Sequence, residues 1–430
     1  MAKSAQDFDL ETIDIVADNR EAIGIKFLVV ELNLFEDLFS FVCSGSVVIK
    51  DALGIIENLK LDGSEIIRIR YGKSADTPKD DRSFRLYKVG NRIPAGNKTS
   101  EHYTLYFTSE ELFLSEQIKI TKSFKGLSIS DMIWNILIDS NNGLDLQIEK
   151  IKWLEQSYGT YDMLVPKMKP LEAISWLSNY AIPNSDGGAD MIFYQTKDGF
   201  YFNSLKTLFN GAPVTSYKYQ PSDLSGYKAD NLFTILDYEF IKTYDSLEAT
   251  NSGIYANRLI SIDPISRKKT ITDFSKSQAT DGNSTGTSKN KFGKYSEEMY
   301  ESRLKLVFGN SAQVDEEYIK QSPGSVAKNI RIETTVPHRT AQLALANYTT
   351  MKAIVPGNNN LTVGRTLDIN LNSLGTDTKT KTEEDAYYSG TYLITGIRHI
   401  IQTQGVFQTV LELAKNSMAM EYPSQTTSLK

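Results

Sequence analysis

Apolar and polar positions alternate through most of the first 112 residues. Ile13 and Ile15 flank Asp14, and Val47-Val48-Ile49 forms a short apolar run. In Ile66-Ile67-Arg68-Ile69-Arg70-Tyr71, one face takes Ile67, Ile69 and Tyr71 while both arginines fall on the other. Tyr103, Leu105 and Phe107 alternate with Thr104, Tyr106 and Thr108. A period of two predicts antiparallel strands with one buried face. Spacers rich in Gly, Asn, Asp and Pro, at 75–81 and 94–99, separate them.

The period then lengthens. Ser128-Ile129-Ser130-Asp131 has the form of a helix start. Ile129, Ile133, Ile136 and Leu137 follow at helical spacing, and Asn141-Asn142-Gly143 stops the element. A second helix is predicted from Pro170, where a missing N–H is harmless. Leu171, Ile174, Leu177 and Ala181 line its inner face. Residues 191–205 read as a hairpin turning at Asp198-Gly199. Residues 113–205 are thus expected to form a separate mixed α and β unit. Residues 275–294, rich in Ser, Thr, Asn, Lys and Gly, predict a mobile loop. Pro337 opens a predicted helix through Met351, with Leu345, Tyr348 and Met351 on one stripe. Strand character then returns. Leu367, Ile369 and Leu371 alternate with Thr366, Asp368 and Asn370, and 389–402 pairs with 407–415 as a hairpin. A polar tail, 419–430, predicts a frayed end.

The two β regions echo each other. Leu61-Asp62-Gly63-Ser64-Glu65-Ile66-Ile67-Arg68-Ile69 can be laid on Leu361-Thr362-Val363-Gly364-Arg365-Thr366-Leu367-Asp368-Ile369. Tyr87-Lys88-Val89 then falls on Tyr392-Leu393-Ile394, and Tyr103-Thr104-Leu105 on Gln408-Thr409-Val410. Identities are few. Internal duplication and two unrelated β pieces with shared strand chemistry both fit. A duplicated chain closed into a trimer would present six similar units around one axis, and so could mate a threefold object with a sixfold one.

Composition narrows the class without naming it. At 430 residues the chain suggests about three domains. No run of about 18 apolar residues occurs, so no transmembrane helix is expected. Met1 to Leu10 lack an apolar stretch behind Lys3, so no secretory signal is expected. Cys43 is the single cysteine, which forbids an intrachain disulfide. A net charge of -6 argues against general nucleic-acid binding, which needs clustered Lys and Arg.

Candidate chemistry is sparse. His102, His338 and His399 lack a neighbouring Cys or His at metal-ligand spacing. His102 and His399 sit in strand-like stretches and read as structural, and His338 as exposed at a helix start. Gly72-Lys73-Ser74 has the ending of a phosphate-binding loop, but Ile67 stands where the upstream glycine belongs. Cys43 reads as a small core residue within strand-like 41–48. Glu110-Glu111 and Glu383-Glu384-Asp385 could in principle hydrolyse glycosides, yet such runs are usually solvated faces. The 23 Tyr and 19 Phe suit sheet packing or surface sugar binding. No catalytic, cofactor-binding or metal-binding residue is nominated, no cofactor is expected, and the chain is not expected to be an enzyme.

Two stretches carry a family resemblance. Ser44-Gly45-Ser46-Val47-Val48-Ile49-Lys50-Asp51 leads through a short turn to Leu59-Lys60-Leu61-Asp62-Gly63-Ser64-Glu65-Ile66-Ile67-Arg68-Ile69. This resembles the N-terminal barrel of baseplate central hub proteins of T-even-type myophages. Gly390-Thr391-Tyr392-Leu393-Ile394-Thr395-Gly396-Ile397-Arg398-His399, followed by Thr409-Val410-Leu411-Glu412-Leu413, resembles that family's closing hairpin, with its His before the turn. Tyr255-Ala256-Asn257-Arg258 with Asp263 is similar to part of its outer domain.

The resemblance implies a β-rich α+β fold with two similar antiparallel, tube-like β-barrels and two inserted mixed α/β domains. The first barrel would be 1–112, with 113–205 inserted. The second would be 206–240 plus 330–418, with the outer domain at 241–329. It implies a structural subunit of the virion tail baseplate, assembled in the host cytoplasm. That subunit would be a homotrimer with a pseudo-sixfold ring, joining the tail tube ring to the trimeric spike and contacting baseplate wedge proteins. DNA would pass its lumen without specific binding, and no membrane insertion is implied. A tail-associated cell-wall hydrolase and a receptor-binding tail protein are the alternatives.

Overall fold

The computed structural model describes residues 8–17, 22–73, 79–94, 100–184, 189–219, 232–243, 245–253, 256–263, 267–275, 304–308, 332–346, 349–372, 385, 388–402 and 405–415. The loop expected at 275–294 lies outside them but for its first residue, as does the tail at 419–430.

The first stretch is all but wholly strand: β1 (Phe8–Val16), β2 (Ile23–Gly24), β3 (Val29–Asp37), β4 (Ser44–Asp51), β5 (Ile66–Lys73), β6 (Asp80–Pro94) and β7 (Glu101–Thr108), with a short α1 (Ile55–Leu59). The period-two pattern has its physical outcome here. Ile13, Ile15, Val47, Ile49, Ile67, Ile69, Tyr71, Tyr103, Leu105 and Phe107 are all buried in one cluster, while Arg68 and Arg70 face water.

Next come α2 (Glu110–Gln117), β8 (Ile120–Leu127), α3 (Ile129–Ile138), β9 (Ile151–Leu154), β10 (Tyr161–Met168), α4 (Pro170–Ser178), β11 (Met191–Thr196) and β12 (Gly199–Ser204). Ser128 caps α3 by accepting the Asp131 N–H at 3.2 Å. Ile129, Ile133, Ile136 and Leu137 pack with Leu171, Ile174 and Leu177 of α4 and with Phe193 and Phe200 of the β11–β12 hairpin. These segments have a core of their own.

The remainder holds α5 (Leu205–Phe209), β13 (Pro213–Tyr219), β14 (Thr234–Ile235), β15 (Asp237–Lys242), α6 (Ser246–Ser252), β16 (Ala256–Asp263), β17 (Lys268–Ser275), β18 (Leu304–Phe308), α7 (Ile332–Ala346), β19 (Thr349–Pro356), β20 (Thr366–Asn370), β21 (Gly390–Gln402) and β22 (Val406–Lys415). β16 to β18 form a small sheet apart from the rest. The helix expected from Pro337 through Met351 is corrected. It starts at Ile332, runs through Pro337 and ends at Ala346, and Met351 belongs to β19. Met351, Ala353 and Val355 are buried at period two among β-branched Thr349, Thr350 and Ile354, so strand packing takes this segment. His338 is half-buried inside α7 rather than exposed at its start.

One 14-stranded sheet carries two arrays of the same order. The first runs β2-β1-β5-β6-β7-β4-β3, the second β14-β13-β20-β21-β22-β19-β15. Ile67 faces Phe84 as Leu367 faces Tyr392. Leu105 faces Val89 and Val47, as Leu411 faces Ile397 and Ala353. Leu86 N–H donates to Glu65 O at 2.9 Å, and Ile394 N–H to Arg365 O at 2.9 Å. Both arrays carry a bulge at the same place, Tyr87 in β6 and Thr395 in β21. The pairing sets Tyr87 against Thr395 and Tyr103 against Thr409, so the register read from the sequence slipped in these two strands. The arrays differ at one edge: β1 is antiparallel to β5, whereas β13 is parallel to β20.

Candidate assembly interface

The arrays join through one antiparallel contact, β21 against β3, from Gly396↔Asp37 to Gln402↔Glu31. Its inner face buries Leu32, Leu34, Ile397 and Ile401, with His399 opposite Leu34 and Glu36 opposite Ile397. Leu38 lies in the second array's core, while Ile401 and Phe407 lie in the first's, so side chains cross the seam both ways. Its outer face is a polar ladder. Arg398 Nε donates to Asn33 Oδ1 at 2.8 Å, with its guanidinium 3.4 Å from Glu31 and 5.7 Å from the Phe35 ring centroid. Gln402 Nε2 donates to Glu31 at 3.1 Å. Hydrogen bonding from Asn33 leads in holding the Glu31 carboxyl below its ordinary range.

Beside the seam lies a buried ionic cluster that sequence reading missed. Glu36, only 3% exposed, pairs with Arg82 at 3.3 Å and accepts the Lys197 N–H at 2.8 Å. Lys197 Nζ reaches Asp80 at 3.2 Å, and Asn359 Nδ2 donates to Asp80 at 3.1 Å. Burial pushes the Glu36 carboxyl upward, with the Arg82 charge pulling against it. These residues come from β3, β6, the β11–β12 turn and the β19–β20 connection, so the cluster ties both arrays to the intervening unit.

The residues of the family resemblance turn out to be turn-makers. Asp51, buried, accepts the N–H groups of Leu53, Gly54 and Ile55 at 2.7, 3.0 and 2.7 Å, and the Tyr103 hydroxyl at 3.0 Å. Glu65 accepts the N–H groups of Asp62 and Gly63 at 2.9 and 3.0 Å. The two carboxylates thus satisfy the backbone at both ends of the β4–β5 connection.

The other singled-out residues also serve structure. His399 is 1% exposed with Nδ1 3.0 Å from Thr409 Oγ1, and burial pushes its imidazole down to about 3. His102 is half-buried in β7. Burial lowers His338 below its ordinary pKa. Cys43 is buried just before β4. Its N–H donates to Gln195 Oε1 at 2.8 Å, and burial pushes its thiol up to about 12, far from a nucleophile's range. Glu110 pairs with Arg85 at 2.6 Å and Glu111 with Lys150 at 2.7 Å, so this carboxylate pair is committed to ion pairs. Glu383 and Glu384 lie outside the described residues. Among those residues no group of His, Cys, Asp and Glu has metal-site geometry, and no helix is long and apolar enough to cross a membrane.

The repeated strand order and its seam define a class: the chain has the fold of phage-type tail proteins. It is similar to the tail protein from Neisseria meningitidis MC58, with a TM-score of 0.54 at 11% identity, covering 94% of this chain and 96% of that one. It is also similar to the 43 kDa tail protein of prophage MuSo2 from Shewanella oneidensis, with a TM-score of 0.51 at 7% identity, covering 94% and 98%. In sequence it is similar to a probable baseplate hub protein of Vibrio phage KVP40, 24% identical over 262 residues, with 59% of each chain covered. This match bears out the resemblance to baseplate hubs. No protein-family model matches the chain.

Proposed function

We propose that this chain is a structural baseplate hub subunit of a contractile phage tail. Three copies close into a ring in which six similar β units surround one axis. One side of the ring meets the hexameric tail tube and the other the trimeric spike, and DNA passes through the lumen ungripped. Two tube-like barrels, 1–112 and 206–240 with 330–418, would build the ring. The inserted unit at 113–205 and the outer domain at 241–329 would stand outside it, reaching baseplate wedge proteins. The site of action is the virion tail, after assembly in the host cytoplasm.

The observation that carries this reading is the repeated strand order with its repeated bulge. A polypeptide with two equivalent arrays converts threefold symmetry of chains into near-sixfold symmetry of contacts, which a six-membered ring above and a three-membered spike below both require. The test is mass measurement in solution with and without the phage's own spike protein, followed by particle averaging. Trimers with threefold symmetry are expected. A chain that stays monomeric with both tube and spike proteins present would sink the proposal.

A further inference from the structure

The seam within the chain is a template for a contact the chain lacks. In β21 one edge is fully used: β20 covers its start and β3 covers 396–402. In β6, the equivalent strand, β5 covers 80–85, and among the described residues no strand pairs with the same edge beyond them. The missing partner can be named. β3 bears to β4 the relation that β15 bears to β19: Leu32 faces Val47 as Tyr238 faces Ala353. Yet β3 has two strand neighbours, and among the described residues β15 pairs with β19 alone.

We infer that the free half of β6 pairs antiparallel with β15 of a second copy of this chain, reproducing between chains the seam that β21 and β3 make within one. This rests on the ring reading above and specifies its contact. The register follows from the neighbours. Ile93 opposes His102 as Ile400 opposes Gln408, and Glu239 opposes Lys352 as Asn33 opposes Ser46. Since Ile400 faces Asn33 in the template, Ile93 faces Glu239. The same steps set Pro94 against Tyr238 and Gly90 against Lys242. The bulge between Gly90 and Ile93 is matched by the one between Phe240 and Lys242, so the count stays in step.

Side chains agree with this assignment. Ile93 is 62% exposed and Ile241 60%, on edges that long strands do not leave bare without consequence. The free half of β6 carries Lys88 and Arg92, the latter paired with Glu101 at 2.6 Å, and β15 carries Asp237, Glu239 and Lys242, the last paired with Glu248. The register sets Glu239 against Ile93, next to Arg92, and Lys242 against Gly90, so it opposes no like charges. Pro94, with no N–H to give, closes the ladder at its end. Because the two edges differ, the contact is head-to-tail, the arrangement that generates rings.

The test is disulfide trapping in the full chain carrying Ile93→Cys and Glu239→Cys. Opposed antiparallel residues lie about 4.5–5.5 Å apart at Cα, within disulfide reach. Cys43, buried with a raised pKa, can stay in place. Assemblies formed with the phage's spike protein and mildly oxidised should run as covalent dimers and trimers, the linkage lost on reduction. The slip control, Ile93→Cys with Phe240→Cys, puts one thiol on the opposite face and should stay unlinked. If the double variant folds poorly, the two single variants co-expressed should give a mixed dimer. Assembled trimers without the 93–239 link, or with equal linkage in the slip control, overturn this contact and leave the ring reading standing. A chain monomeric with tube and spike proteins both present overturns both.

Discussion

At the scale of single residues, this protein puts its buried polar groups to structural use. Asp51 satisfies three backbone donors and a tyrosine hydroxyl, so Asp51→Ala leaves the buried Ile55 N–H and Tyr103 hydroxyl without their acceptor. A loss of about 2–3 kcal/mol in unfolding free energy is expected from urea denaturation of the chain. Glu36 and Arg82 make a testable pair. Glu36→Ala leaves a buried guanidinium without its carboxylate and should cost about 3–5 kcal/mol, part of it recovered by adding Arg82→Met. No recovery in the double variant would mean that Arg82 is balanced by other groups. His399 gives a pH signature. Its folded pKa is depressed, so the imidazole is neutral in the folded chain, while the unfolded chain takes up a proton below about 6.5. The contribution to stability is complete above that pH and fades as pH falls from about 6.5 toward 3. His399→Gln should therefore lose less stability than the unaltered chain on acidification, and equal losses by thermal melting would place the titration elsewhere. Asp51 and Glu65 stand out in the sequence because they make local turns. The Glu36 cluster does not, because its partners lie 46 and 161 residues away.

At the scale of elements, period was a good guide wherever one face was buried. Strands β4, β5, β7 and β20, helices α3 and α4, and the two hairpins β11–β12 and β21–β22 all follow the alternation or helical spacing in their own residues. Met351 shows why the guide fails. Its stripe with Leu345 and Tyr348 has helical spacing, but Met351, Ala353 and Val355 also have strand spacing, and only the neighbouring strand β22 decides between them. The bulges were invisible for a similar reason, since an extra residue such as Tyr87 or Thr395 defines itself only against a partner strand. Their importance can be measured. Deleting Thr395 removes the extra residue, so Ile394 opposite Leu413 would run straight on to Gly396 opposite Glu412 without the bend and added twist that the bulge supplies. Soluble, folded chain should then be lost on expression, and a well-behaved deletion variant would show the bulge to be dispensable.

At the scale of the whole molecule, the decisive contacts are those of the seam, between residues as far apart in sequence as Glu31 and Gln402. The echo in sequence was legible only as pattern, because strand chemistry repeats cheaply while pairing partners do not declare themselves. Phe407, from the second array, sits in the core of the first beneath the seam. Phe407→Ala should cost about 3–5 kcal/mol and loosen both arrays together. Amide exchange should rise alike in β5 and β20, whereas a rise confined to one would mean the seam does not couple them. The edge where β1 opposes β5 but β13 accompanies β20 has a further consequence. In the proposed ring of three chains it would distinguish alternate units along that rim, so a companion gripping the rim would encounter two sorts of foothold in turn. Such a companion would be seated at three clock positions and refused at the three between.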